Sequence, residues 1–271
     1  MLSIILFIIL SILGGLAAGW VAGLFGIGGG SISVPLFLIT LPLLGAKGDL
    51  VMHQAIATSL IVIVPSAFSA TRKQYKQRNI NVKFLFSWLP WVVVGVVGAS
   101  FFIIKVPAKT LEILFAAYLF LAAVYIFFKG NPKVPQDHVP KGMIKNIGAI
   151  LVGVISTFLG IGGGTFTVPF LIACKYPLVK SIAISSATGL VIGLFGSICA
   201  AINGLGQPNL ALFSIGYVNI LAACLMAPFS MYTAQFGAKL SHEMNPNLLK
   251  ILYSFFLLLV VLYMCWEVFG K

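Results

Sequence analysis

The chain has very few acidic residues. Among its 271 residues, Asp and Glu number five against 17 Lys and Arg, and charged residues make up 8% while 60% are apolar. Soluble globular chains carry about a quarter charged residues, so this composition excludes a soluble domain and predicts an integral membrane protein. The basic residues lie in short loops between apolar runs, not among aromatic residues on one soluble face. They therefore indicate membrane topology and not a nucleic-acid partner.

The acidic residues also lie away from the mid-membrane positions expected of a cation site. All five lie at or near the ends of apolar runs: Asp49, Glu112, Asp137, Glu243 and Glu267. Cation sites and proton relays use carboxylates at mid-membrane depth, so this placement disfavours a cation transporter. An anion transporter fits better, because backbone N–H groups and hydroxyls bind an oxyanion without burying a full positive charge. Glu112 and the histidines remain weaker candidates for ion coupling.

Cysteine patterning is missing as well. The four cysteines lie in or beside apolar runs and show no CxxC spacing: Cys174, Cys199, Cys224 and Cys265. They predict neither a disulfide framework nor a metal site, and we expect small packing residues and no cofactor. The stretch 1–18 has no Lys or Arg before its apolar part and recurs in mid-chain, so we interpret it as a membrane segment and not as a cleaved leader.

Long apolar runs dominate what is present. Ten of them are separated by short segments that are charged or rich in Pro and Gly: 2–25, 31–44, 51–70, 84–104, 111–128, 146–159, 165–174, 181–202, 211–236 and 248–269. Runs of about 20 residues span a bilayer as helices, whereas those after the glycines are short. We predict an all-α polytopic membrane protein with repeats at 1–128 and 146–271 and a polar linker at 129–145. Each repeat has one glycine-broken or re-entrant segment plus three transmembrane helices, giving about 8–10 membrane segments.

One glycine-rich motif occurs twice. GIGGGSISVP at 26–35 returns as GIGGGTFTVP at 160–169, each copy inside an apolar run. Hydrocarbon offers backbone groups no water, so such a stretch persists at membrane depth only where protein or a cavity satisfies it. Paired interruptions at matching positions of two halves indicate a transporter's substrate site.

Charge placement predicts that the halves have opposite orientations. The loop 72–83 has five basic residues and no acid, and the linker 129–145 has four basic residues and one acid, so both are assigned to the cytoplasm. The corresponding second-half loop, 203–209, is uncharged and is placed outside. This asymmetry is what an inverted repeat predicts.

The restarts after the glycines predict an anion site. At Ser31 and Thr165 a new helix begins with unpaired N–H groups and partial positive charge, and glycines allow close approach. We expect two such ends to converge on one oxyanion. The other interpretation is that the glycines only permit tight helix packing. A nucleotide-binding loop is disfavoured, because no strand–turn–helix context or Lys-Ser/Thr follows.

Hydroxyl residues early in the next helices are further candidates. Thr58 and Ser59 in the first half, and Ser185, Ser186 and Thr188 in the second, either donate to the anion or bond their own i−4 carbonyls. His53 is interpreted as an interfacial residue, with a protonation switch left open. The predicted binding residues are Gly28, Gly29, Gly30, Ser31, Thr58, Ser59, Gly162, Gly163, Gly164, Thr165 and Ser186.

At these motifs the sequence resembles the sulfite exporter TauE/SafE family. That family's pattern is a GxGGG-x3-V-P segment early in each half, matched at 26–35 and 160–169, followed by an Ala-x-x-Thr-Ser helix, matched at 55–59. The second copy, 183–187, departs from it, with Ser186 in place of Thr and Ala187 in place of Ser. We expect this departure to bear on anion preference.

The resemblance implies a multi-pass permease of the plasma (cell inner) membrane for sulfur-containing anions such as sulfite, thiosulfate or sulfonates, often an exporter. We predict alternating access between the two glycine segments, with the lipid bilayer and the anion as partners. Transport of another small organic anion stays open, as does a homo-oligomer. An intramembrane serine hydrolase using Ser31 is disfavoured because it needs a nearby base and no histidine lies in the interior of any apolar run. A non-transporting subunit is disfavoured because long soluble loops are absent.

Overall fold

The computed structural model describes residues 2–25, 29–128, 139–243 and 246–269. These residues form ten α-helices, one short 3₁₀-helix and a two-stranded hairpin. Seven of the described helices are long and apolar enough to cross a membrane. The chain is therefore an all-α polytopic membrane protein, as its composition predicts.

The first half contains five helices in the predicted order. They are α1 (Leu2–Phe25), α2 (Gly30–Thr40, followed by the 3₁₀-helix Leu41–Leu44), α3 (Leu50–Lys76), α4 (Val82–Ile103) and α5 (Ala108–Phe128). The broken segment is thus a full-length helix followed by a half-length one. Residues 26–28, at the break, and 129–138, which make up most of the predicted linker, lie outside the described residues.

The second half repeats this order. Its helices are α6 (Gly142–Leu159), α7 (Gly164–Ala173), α8 (Leu178–Asn203), α9 (Ile220–Glu243) and α10 (Pro246–Phe269), with strands β1 (Ser214–Ile215) and β2 (Val218–Asn219) before α9. Gly160 ends α6 in the left-handed region at φ 62°, which glycine adopts without steric cost. The short α7 follows after the glycine motif.

The helices pair between the halves. The most extensive packing is of α1 against α9, and its counterpart is the packing of α6 against α4. The equivalent helices α3 and α8 pack on each other. The second equivalent pair, α5 and α10, also pack on each other. Exchanging the two halves therefore reproduces the main contacts, so the structure has approximate two-fold symmetry in its packing.

Connections between helices gather at two ends of the bundle. At the first, which we call the hairpin end, Leu212 N–H donates to Leu44 O (2.9 Å) and His53 Nε2 contacts Ile103 O (3.1 Å). At the second, which we call the basic end because the basic loop 72–83 leads into α4 there, Phe84 at the start of α4 packs against Tyr176, with ring centroids 6.1 Å apart. The α2–α3 connection and its counterpart between α7 and α8 thus lie at opposite ends of α4.

One apolar run is not a single helix. The run 211–236 was expected to be one membrane segment, but α9 begins only at Ile220, and the preceding residues form the β1–β2 hairpin. Gly216, with φ 54°, occupies its turn between the Ile215–Val218 pair. Two-residue hairpin turns favour glycine at a positive φ, and apolar strand residues do not distinguish such a hairpin from a helix end.

Candidate functional site

The two glycine segments meet at the start of α2. A Cβ atom added to Gly30 would lie 2.6 Å from Gly160 O and 2.8 Å from Ile161 Cα. Gly160 in turn lies against Ile56 of the central helix α3, where an added Cβ would be 2.9 Å from the Ile56 Cα. The halves therefore touch backbone to backbone at their matching interruptions.

The amino-terminal end of α2 is closed by protein groups. Gly29 is its N-cap residue without a side-chain cap, and Ser33 Oγ donates to Gly29 O at 2.9 Å. Gly29 also packs against Ala18 of α1, where an added Cβ would be 3.2 Å from the Ala18 Cβ. Ser31 is buried in the first turn of α2, and the predicted Gly28 lies outside the described residues.

The amino-terminal end of α7 has a different hydroxyl arrangement. Gly163 is its N-cap residue and makes no side-chain bond, and Thr165 Oγ1 donates to Gly162 O over a long distance of 3.4 Å. Thr167, the counterpart of Ser33, is fully buried, and its hydroxyl has no hydrogen-bond partner among the described residues. Its backbone N–H donates to Gly163 O at 2.8 Å, so the helix itself is regular. Gly164 is buried as the first residue of this helix.

Tyr118 of α5 adds a second hydroxyl to this end of α7. Its ring stacks on Phe166, with centroids 4.4 Å apart, and its hydroxyl group lies beside the Thr165 side chain. That hydroxyl is buried and reaches no described group in full hydrogen-bond geometry. The sequence prediction did not include Tyr118; its only signal is a tyrosine in the middle of an apolar run.

The predicted hydroxyls of α3 and α8 separate into two groups. Ser59 Oγ donates across the halves to Gly160 O at 2.8 Å, and Thr58 Oγ1 accepts the backbone N–H of Asn219 at 3.0 Å. Ser186 bonds its own i−4 carbonyl at 3.0 Å, and Thr188 does the same at 2.8 Å. The structure thus brings Gly29, Gly30 and Ser59 to the contact around Gly160, while Thr58 faces the hairpin.

Tight packing by the glycines is also observed. Gly163 lies against α8, where an added Cβ would be 3.0 Å from both Gly189 N and Thr188 Cγ2. Together with the contacts of Gly29 and Gly30, this shows that the motif glycines bring backbones together. Close packing and ligand binding are compatible uses of the same residues, because a glycine contact that opens exposes backbone N–H groups.

Two narrow cavities flank the central helix α3. The cavity toward the hairpin end has a volume of about 20 Å³ and is lined by His53, Ile56, Ala57, Leu60, Ser100, Ile103, Ile104, Thr157, Gly196, Ala200, Asn203 and Tyr217. The other has a volume of about 10 Å³ and touches Gly29, Ser33, Val62, Ile63 and Ser66. Each has room for about one water, so neither holds an oxyanion in this conformation.

The hairpin covers the start of α3. Gln54, fully buried, donates to Ser214 Oγ (3.1 Å) and accepts from Ala211 N–H (3.1 Å). Asn219 Oδ1 accepts from Ala222 N–H at 2.8 Å and so caps α9. These polar groups join the hairpin to α3 and α9, and their partners were not readable from the sequence.

Metal and thiol chemistry find no support in the described part of the chain. No group of three or more His, Cys, Asp or Glu side chains there could hold a metal ion. Cys174 lies in the connection after α7, where burial raises the pKa of its thiol. A thiol with a raised pKa stays protonated at neutral pH and is a poor nucleophile.

Known proteins match the chain over nearly its whole length. Residues 11–264 match the family described as Sulfite exporter TauE/SafE. A probable membrane transporter protein of Haemophilus influenzae is 30% identical over 95% of this chain and 98% of its own length. Another of Methanocaldococcus jannaschii is 26% identical over 94% of both chains, and one of Bacillus subtilis is 24% identical over 96% and 98%. No solved structure matches the chain significantly.

Proposed function

Because the chain belongs to the sulfite exporter TauE/SafE family, a family of membrane transporters and not enzymes, we propose that it carries a small sulfur-containing anion across the plasma membrane. Sulfite, thiosulfate and organosulfonates are the substrate class. The proposal rests chiefly on one observation, the contact of Gly30 with Gly160 and Ile161 at the point where the two broken segments meet.

Electrostatics at this contact suit an anion. Helix α2 begins at this contact, and α7 begins three residues after Ile161; both lack side-chain caps, so each presents first-turn N–H groups and the positive end of its dipole. The two carboxylates whose side chains are described lie in other parts of the fold: Asp49 precedes α3, and Glu112 lies in the second turn of α5. Neither belongs to the two glycine motifs, where backbone N–H groups can donate to an oxyanion.

The α7 half of the site supplies the free donors. Ser33 already donates to Gly29 O, whereas the buried hydroxyls of Thr167 and Tyr118 have no partner in full geometry among the described residues. A buried hydroxyl without a partner costs stability until a water, an ion or a ligand completes it, and these two hydroxyls flank the start of α7. We assign the first contacts of the anion to Thr165, Thr167, Tyr118 and the N–H groups of the α7 first turn.

The cavities support alternating access. They touch successive turns of α3, one at Ile56 to Leu60 and the other at Val62 to Ser66, with the glycine contact beside them. Opening one cavity at a time would expose the glycine contact to one end of the bundle only. The opposite ends used by the α2–α3 and α7–α8 connections support an inverted arrangement, with the basic end in the cytoplasm.

Proteoliposome flux tests the proposal. We expect transport of at least one of sulfite, thiosulfate, sulfoacetate and taurine above empty vesicles, and an apparent affinity about tenfold weaker in Tyr118→Phe, which loses one hydrogen bond to a charged ligand. Tyr232→Phe is the matched control, because Tyr232 is 63% exposed on α9.

Two results would contradict the proposal. Flux of none of the four sulfur compounds would remove the substrate class, and flux of a small carboxylate in their place would identify an organic-anion transporter. Equal affinities in the two phenylalanine variants would remove Tyr118 from the site.

A further inference from the structure

His53 makes two contacts with carbonyl oxygens at the hairpin end. It lies in the first turn of α3 and is 7% exposed. Its Nδ1 is 2.9 Å from Asp49 O, one turn earlier, and its Nε2 is 3.1 Å from Ile103 O, the last residue of α4. The imidazole therefore connects the start of α3 with the end of α4.

This geometry fits the protonated ring. A carbonyl oxygen only accepts hydrogen bonds, and a neutral imidazole has one N–H and one lone pair. Both contacts are hydrogen bonds only in the imidazolium; in either neutral tautomer, one nitrogen lone pair faces a carbonyl oxygen. Ile103 O also belongs to the carboxyl end of α4, where the helix dipole favours a cation.

The surroundings add attraction for the charge. Tyr217 of the hairpin lies beside His53, with ring centroids 5.9 Å apart, close to the distance of a cation–π contact. Burial raises the pKa of Tyr217, so its phenol stays neutral at physiological pH. The other cavity-lining polar side chains, Ser100, Thr157 and Asn203, are uncharged.

Charged residues on the elements around His53 lie near the same end. They are Lys47 and Asp49 before α3, Lys105 after α4, and Lys109 and Glu112 at the start of α5. Asp49 contributes its backbone carbonyl to His53. Among the residues that line the cavity, His53 is the one whose side chain can carry a positive charge.

We propose that His53 is a proton-binding site that holds the hairpin end closed. With the proton bound, the ring bonds α3 to α4 across the cavity that His53 and Ser100 line. When the proton leaves Nε2, the ring becomes the Nδ1–H tautomer, which keeps the bond to Asp49 O while the Nε2 lone pair faces Ile103 O, so α4 is released from α3. The closed state, in which both ring nitrogens face carbonyl oxygens, binds the proton more tightly than the open one, so low pH favours closure and high pH favours opening. By linkage, opening releases a proton, which makes the proton a coupling ion for transport.

Thiol accessibility in purified protein tests this site without any substrate, so its outcome is separate from the identity of the transported anion. Ser100→Cys, in a chain whose four native cysteines are replaced by alanine, places a thiol in the cavity. Its rate of reaction with a small charged methanethiosulfonate is measured in detergent at pH 6 and pH 8. Leu205→Cys, at a position 65% exposed, serves as the reference for intrinsic thiol reactivity.

After division by the reference, we expect Ser100→Cys to react roughly fivefold or more faster at pH 8 than at pH 6. Adding His53→Gln, which keeps a donor but cannot titrate, should abolish this dependence. Adding His242→Gln, in the last turn of α9, should leave it unchanged.

If the normalised reaction rate of Ser100→Cys does not change with pH while His53 is present, the proposal is wrong, whatever the histidine variants show. A dependence that survives His53→Gln, or one that disappears equally in His242→Gln, overturns it as well.

Discussion

The two glycine motifs have almost the same sequence but different hydrogen bonding. In the first, Ser33 donates to Gly29 O, and in the second its counterpart Thr167 keeps a buried hydroxyl with no described partner. The helices that follow differ in the same direction. Ser59 donates across to Gly160 O, whereas its counterpart is Ala187, which has no hydroxyl. At matched positions of the two motifs, Ser33 thus has a hydrogen-bonded hydroxyl and Thr167 has one without a described partner.

The different hydrogen bonding of Ser33 and Thr167 indicates that the two copies of the motif now have different roles. A satisfied hydroxyl contributes stability, about 1 kcal/mol per hydrogen bond, whereas an unsatisfied buried one costs about 1–3 kcal/mol until a ligand completes it. We therefore infer that the first motif, at 26–35, holds the contact between the halves and that the second, at 160–169, binds the anion. Substitutions at matched positions can break this comparison.

Gly30→Val should have the largest effect. The added side chain meets Gly160 O and Ile161 Cα, which are backbone atoms and cannot rotate away. Overpacking costs about 1–3 kcal/mol and at times more, and a clash with backbone atoms lies at the upper end, so we expect a clear loss of thermal stability in detergent and no flux.

Gly98→Ala is the control for that substitution. Gly98 also lies in a helix, but an added Cβ there meets nothing within 4 Å. Its melting temperature and flux should match those of the parent. A Gly30→Val protein as stable and active as Gly98→Ala would show that the two motifs are not in contact.

Thr167→Val and Ser33→Ala should have opposite profiles. Valine removes the unpartnered hydroxyl of Thr167 while keeping its shape, so stability should stay equal or rise while anion affinity falls about tenfold. Ser33→Ala removes a bond to Gly29 O and should cost about 1 kcal/mol of stability with little change in affinity. Thermal melts with and without the transported anion give both quantities. Equal losses of affinity in the two variants would mean that both motifs bind the ligand alike.

Ser59→Ala should have the smallest effect. It removes the hydrogen bond to Gly160 O, and we expect about 1 kcal/mol of lost stability. Ala187→Ser, at the matching position of the second half, is the reciprocal variant. Its melting temperature should stay within a degree or two of the parent's, because the substitution removes no existing hydrogen bond. A larger loss in Ala187→Ser than in Ser59→Ala would reverse the assigned roles.

Much of the architecture follows from the pattern of apolar runs. Each run of about 20 residues in the first half became one helix, and the half-length α2 and α7 follow the glycines as their short runs predict. The β1–β2 hairpin was missed because its strands are as apolar as the helix that follows. Local hydropathy cannot separate the two, although the glycine at 216 was a usable turn signal.

The site was predictable only in part. The motif located the starts of α2 and α7, since these depend on local sequence, and the role of Ser31 and Thr165 as donors stays a prediction. Tyr118 was missed because its place beside Thr165 depends on how α5 packs, and packing is a property of the whole bundle. The distinction between Ser33 and Thr167 was also hidden, because both are hydroxyl residues at the same motif position.

The pairing of α1 with α9 has a consequence for how the protein is made. Gly15 and Gly19 of α1 lie directly against the backbone of Met226 and Ser230, so the main partner of the first helix is synthesised about 200 residues later. At translation rates of about 5–20 residues per second, α1 waits in the bilayer for roughly 10–40 seconds with its glycine face toward lipid. Biogenesis of this chain therefore completes the packing of α1 only late, when α9 and then α10 join helices that are already inserted.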